Sequence, residues 1–411
     1  MPRWLIPAAY FVVSLIAATV IPRFEFELFP AWGNEISVST AQALLGAISS
    51  GMMAFTAIVF SIGFLFVQYT ATAFSKRFMV TAAKGSLIFH AFGLFAATFT
   101  FALGTLAFVN RHGSTWVPFG SILIVSLLLV LSVVTMARLM NQVAALRITR
   151  VLSALGDRGR ASIDRMPMHE TDPAIARVVL GDPTQTVVYS GNPMVLAAID
   201  RASLVQIARK TGTTIQLEYA VGDTIFSKTI LASVYGSGEK FDEAELLRAI
   251  RLTRENHFDG DVRFAFRLLV DTAIMALSPA INDPTTAVEA LDEILDIMLR
   301  LGRRPLDAGY ALDESGALRV IYPAPSWNDY LSLAFDEIRS YGMDSVQVVR
   351  RLRAALVRLA GALHDESRRD AVASYRNRLD AAVMRLGLDE ADTATALGID
   401  PQGLGLTRRT V

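Results

Sequence analysis

The chain has 411 residues, enough for two or three domains, and carries 39 basic against 39 acidic residues. That balance lacks the basic excess of a nucleic-acid binder. The absence of cysteine excludes disulfides, thiolate metal sites and cysteine nucleophiles. The apolar residues concentrate in the first third, which predicts an α-helical membrane protein with a large soluble tail.

Four apolar spans precede residue 140: Trp4–Ile21, Ala41–Tyr69, Leu87–Val109 and Val117–Ala137. Each approaches or exceeds the roughly 20 residues that cross a bilayer. The first also fits a signal peptide, with Arg3 before the apolar run and Ala17-Ala18 near a cleavage site. Loop charge sets the orientation. Arg23 faces Glu25, Glu27 and Glu35 after span one, whereas Lys76, Arg77 and Lys84 follow span two. Arg111 and His112 follow span three, and Arg138, Arg147, Arg150, Arg158 and Arg160 follow span four. The alternation predicts a multi-pass membrane protein with both termini in the cytoplasm.

Span two is longer than a bilayer needs and carries Gly46, Ser50, Ala54, Ala57 and Ser61 at steps of three or four, with Gln68 two turns on. Such a stripe suits a close helix–helix contact, or the pore-lining face of a homo-oligomer. His90, near the start of span three, reads as interfacial. No Asp, Glu, Lys or Arg lies inside a span, which argues against an ion-coupled transporter. Leu139, Val143, Leu146 and Leu155 extend the period of span four and predict one helix from Val117 to Leu155, about 60 Å long.

Pro167, Pro173 and Pro183 punctuate a linker within residues 141–185. A small β-rich module is predicted over 186–240, from strand-like runs at Thr186–Tyr189, Met194–Ile199, Thr214–Tyr219 and Ile225–Val234, with a helix at Ala202–Lys210. A helical domain is predicted over 241–387. Its helices are Phe241–His257, a central helix from Arg263, Pro284–Leu301, Asn328–Tyr341 and an antiparallel pair, Ser345–Leu363 and Arg368–Leu386. Residues 388–411 read as a flexible tail. Arg350, Arg351, Arg353 and Arg358 lie off the apolar stripe and read as a solvated or interface face.

The central helix is apolar almost all round, except for a seam of Arg263, Arg267 and Asp271 at four-residue steps. Ser278-Pro279 ends it, and Asp283-Pro284 starts the next helix as N-cap and first residue. Ser278, Asn282 and Asp283 thus form a polar elbow beside free backbone N–H groups, with Arg267 and Asp271 expected to tie the helix to it. A helix N-terminus there could hold an anion, although Asp283 would occupy it first. His257, Asp259 and Asp261 form too sparse a set for a metal, and Asp261 reads as the cap of the central helix.

No phosphate-binding loop, nucleophile elbow or zinc motif occurs, so no enzyme activity, metal or cofactor is predicted. The run MALSPAINDPTTA, with FDGDVRFAFRLLVD before it and SSGMMAFTAIVFSIGFLFVQYTATAFSKR in span two, resembles a bacterial family of predicted membrane proteins of unknown function. The matching elbow positions are Asp271, Ala276, Leu277, Ser278, Pro279, Asn282, Asp283, Pro284, Thr286 and Ala287; His257 departs from the family pattern. The resemblance implies the membrane location and the two-part architecture, but no activity. Together these readings predict an oligomeric channel-like protein that takes a small ion or ligand. The alternative is a membrane-anchored sensor or scaffold whose tail binds a small ligand or protein.

Overall fold

The computed structural model describes residues 4–28, 36–73, 87–109, 116–144, 148–166, 180–236, 242–254 and 261–404. The chain divides into two compact units, residues 1–147 and 148–411.

Among the described residues the first unit holds four helices: α1 (Leu5–Leu28), α2 (Val38–Ala73), α3 (Leu87–Leu106) and α4 (Phe119–Ala144). All four are long and apolar enough to cross a membrane. The middle position belongs to α3, which packs against each of the other three and buries Phe95, Thr98, Phe101 and Ala102. Small residues let α1 and α3 approach closely. A Cβ at Gly104 would meet the Ala18 Cβ at 2.5 Å, and one at Gly93 would meet the Tyr10 ring at 2.7 Å. Two hydroxyls add polar ties: Ser14 donates to the Ala97 carbonyl at 2.6 Å, and Thr98 bonds Ser132 of α4 at 3.2 Å. His90 lies exposed beside the Tyr10 hydroxyl, 3.4 Å away.

One expectation changes here. The sequence places Glu25 among the loop charges, but α1 runs through Pro22 to Leu28 and buries Glu25. Its carboxylate accepts hydrogen bonds from Gly120 N–H and Ser121 N–H, and from the Ser121 hydroxyl at 2.8 Å. A carboxylate at the start of α4 satisfies otherwise unpaired N–H groups and meets the positive end of the helix dipole.

The single long helix expected from Val117 to Leu155 is described as two helices, α4 and α5 (Ile148–Asp164). Residues 145–147, with the expected positions Leu146 and Arg147, lie outside the described residues. In the second unit α5 packs on α8 (Val262–Ala276) and α9 (Pro284–Leu301). Contact is close because Gly156 and Gly159 face α9: a Cβ at Gly159 would stand 2.5 Å from Ile297 Cδ1.

Among the described residues, two sheets lie in the second unit. The first is ordered β1-β5-β3-β8-β7, from Gln185–Tyr189, Thr229–Tyr235, Thr214–Leu217, Leu318–Ile321 and Tyr310–Leu312. The second is β4-β2-β6, from Thr224–Ile225, Met194–Ile199 and Ile250–Thr253. Every pairing is antiparallel except β3 with β8. Helices α6 (Arg201–Thr211) and α7 (Glu243–Ala249) accompany them, and Leu196, Leu204, Ile215, Leu231 and Leu246 share one core.

The β-module therefore draws strands from beyond 186–240. Among its described residues, the expected helix Phe241–His257 is helical over Glu243–Ala249; Ile250 then pairs with Ile199 in β6 and is buried in the sheet core. The hairpin β7–β8 fills the stretch between the helices expected at Pro284–Leu301 and Asn328–Tyr341, and adds strands to a domain read as helical. Its turn is built by Asp313, which accepts from Ser315 N–H and Ala317 N–H, and by Gly316 at φ +81°.

Around the central helix α8 stand α5, α9 and α10 (Trp327–Gly342). Phe266 is fully buried with its ring centroid 6.2 Å from that of Tyr330. Helix α11 (Val346–Ala362) pairs with α12 (Glu366–Met384), pinned by Arg353 on Asp380 at 2.8 Å. Where a flexible tail is expected, residues 388–404 contain α13 (Glu390–Ala396) and a strap in which Asp400 is fully buried. Asp400 accepts from the N–H groups of Gln402 and Gly403, while Arg351 holds the carbonyls of Asp400 and Pro401.

Candidate functional site

Two sets of predicted site residues can be placed, one in each unit. In α2, Ala41, Leu45, Ile48, Met52 and Val59 are buried and form the face toward α3. The opposite face carries the small-residue stripe: Ser50, Ala54, Ala57 and Ser61 are exposed and Gly46 is half-buried. Among the described residues, no side chain approaches within 4 Å of a Cβ built at Gly46 or Gly51. Ser50 and Ser61 turn their hydroxyls back onto the carbonyls of Ala47 and Ala57, at 3.1 and 3.0 Å. The side chain of Gln68 lies outside the described residues.

Exposed bulk flanks the stripe on α2 itself, at Met53, Ile58, Phe60, Phe64 and Leu65. Helix α1 exposes Phe11, Val12, Val13, Leu15 and Ile16, and α4 exposes Leu123, Leu127, Val130 and Leu131. Those large apolar groups suit lipid chains. The close helix–helix contact that small residues permit occurs within this unit between α1 and α3, not along the α2 stripe.

The elbow of the second unit is closed by its own backbone. Asp283 N–H donates to the Ala276 carbonyl at 2.7 Å, and Asn282 N–H to the Ser278 carbonyl at 2.8 Å. Ser278 donates its hydroxyl to Met275, the C-terminal turn of α8. Asn282 stands at φ +49°, the left-handed region that Asn enters more readily than most side chains. Asp283 caps α9 by accepting from Thr286 N–H at 3.1 Å and from its hydroxyl at 2.6 Å. The N-terminus of α9 is thus already supplied with a carboxylate.

Arg267 and Asp271 are brought together, but they do not tie α8 to the elbow. Arg267 forks onto both carboxylate oxygens of Glu337 in α10, at 2.6 and 2.7 Å, while its Nε donates to Asp271 at 2.7 Å. Burial opposes the guanidinium charge, yet the bonds to Glu337 and Asp271 outweigh it and raise its pKa. Arg263 is spent on Asp261, the N-cap of α8. Residues 255–260, with His257 and Asp259, lie outside the described residues. Among the described residues no group of three or more His, Asp or Glu could hold a metal ion.

Two polar centres had no sequence signal. Glu25 is one. Arg160 is the other: it joins Glu293 and Asp296 of α9 at 2.8 and 2.9 Å and Asp157 of its own helix. Burial works against that charge, and three carboxylates override it, holding the guanidinium above its ordinary range. Of the four arginines of α11 read as a surface face, Arg350 is buried, Arg351 and Arg353 pair with Asp292 and Asp380, and Arg358 is exposed.

Uncharacterized proteins of Mycobacterium bovis and of Mycobacterium tuberculosis are each 26% identical over 405 residues, covering 94% of this chain and 75% of theirs. No solved structure matches. The model of the family described as "Predicted membrane protein (DUF2254)" matches residues 2–358, from α1 into α11, and the chain belongs to that family of membrane proteins.

Proposed function

We propose that the protein is an oligomeric, channel-like protein of the bacterial inner membrane, with both termini and the second unit in the cytoplasm. One observation carries the reading: Ser50, Ala54, Ala57 and Ser61 leave a stripe of small residues exposed on the face of α2 opposite α3, between the exposed bulk of Met53, Phe60 and Phe64 on one side and of Ile58 and Leu65 on the other. Without a hydrophobic drive between helices, association in a bilayer relies on close packing of small residues. Copies arranged around that face would cover it and set backbone carbonyls and serine hydroxyls along a common axis. The second unit then serves assembly or regulation, with α5 fixed to α9 through Arg160.

The test is the mass and symmetry of the purified complex in lipid nanodiscs, followed by ion flux in vesicles. A closed ring of three or more copies with the α2 faces toward its axis, and flux abolished by Ala57→Trp, is the expected result. A monomer, or a two-fold dimer with those faces in lipid, overturns it. The second reading, a ligand-sensing scaffold, is favoured by a groove in the second unit.

A further inference from the structure

We propose that this groove, between α9, α11 and the C-terminal strap, binds a small amphipathic monocarboxylate. Its volume is about 370 Å³, within the range of small-molecule sites. Leu295 and Ala354 form a buried floor, and Leu299, Val357 and Ile399 line the sides. Val357 and Ile399 remain more than a third exposed, so an apolar body laid there would remove apolar surface from water.

The charges on the walls select the head group. Arg351 is committed: it binds Asp292 and the carbonyls of Asp400 and Pro401. Asp296 already receives Arg160 and Arg300. Arg358 differs. It is exposed, lines the same groove, and makes no hydrogen bond or ion pair among the described residues. A ligand therefore meets acids that are already ion-paired and one cation that is available. A guanidinium presents a planar fork that matches a carboxylate. One negative charge on an apolar body of moderate length fits both the floor and the fork. The site is separate from the α2 face, so this assignment does not rest on the channel reading.

Calorimetric titration of the full chain in lipid nanodiscs, with empty nanodiscs subtracted, tests it. The probes are octanoate, octylammonium and acetate. Saturable octanoate binding is expected, with octylammonium and acetate at least about ten-fold weaker. Arg358→Ala should weaken octanoate about ten- to hundred-fold, the worth of one charge-assisted hydrogen-bonded contact. Arg358→Lys should recover part of the loss. Val357→Asp, which sets an anion in the apolar wall, should weaken octanoate without touching Arg358. Both positions are exposed, so circular dichroism should report an unchanged fold. Absent binding, equal binding of octylammonium, or octanoate affinity indifferent to Arg358→Ala would overturn the proposal.

Discussion

Individual side chains here act mostly by satisfying one another, and their removal should be read as stability. Glu25 satisfies two N–H groups and a hydroxyl at the start of α4. Glu25→Ala should destabilise the membrane unit by about 2 kcal/mol or more, since buried donors then lose a charged acceptor; thermal unfolding in nanodiscs measures it. Arg267→Ala leaves half-buried Asp271 and Glu337 without their cation and should cost about 2–3 kcal/mol. Glu337→Gln should cost less, because that side chain is 44% exposed. Asp313 gives a pH signature. Hydrogen bonding to the Ser315 hydroxyl and to Arg319 holds its carboxyl well below the ordinary carboxylate range. The Ser326 hydroxyl and N–H likewise depress Asp329. A depressed carboxyl stabilises the fold above its ordinary pKa of about 4, and the contribution disappears as pH falls through the folded value. Asp313→Asn should therefore lower the unfolding temperature at pH 7, and the gap from the native chain should narrow toward pH 3.

At the scale of the element, what was legible follows from the range of the interaction. The boundary Asp283-Pro284 is set within one helical turn, and α9 runs over Pro284–Leu301 as its cap, proline and apolar period predict. The central helix is legible for the same reason: its all-round apolar character requires packing on several sides. Long-range partners were not legible. Glu337 lies 70 residues from Arg267, and nothing local marks it as the acid that binds there. Strands β7 and β8 are three and four residues long, too short for an alternation to register. Gly156 and Gly159 carried a usable signal, two glycines one turn apart in a helix that otherwise has no reason to include them. Gly159→Ala should cost about 1–3 kcal/mol through overpacking against Ile297. For the candidate site, the period of the α2 stripe is present in the sequence. That it stays uncovered among the described residues is not, because that depends on which face α3 takes.

For the whole molecule, the account turns on what covers that stripe. The chain has no cysteine, so a single one introduced at any position is a clean reporter. The most direct measurement is oxidative cross-linking in native membranes of Ala57→Cys, on the stripe, beside Leu127→Cys, on the lipid-facing side of α4. Copies that meet along α2 predict rapid disulfide-linked dimers from Ala57→Cys and few from Leu127→Cys. Equal and slow cross-linking at both positions would mean that the α2 face looks into lipid, and would contradict the channel account.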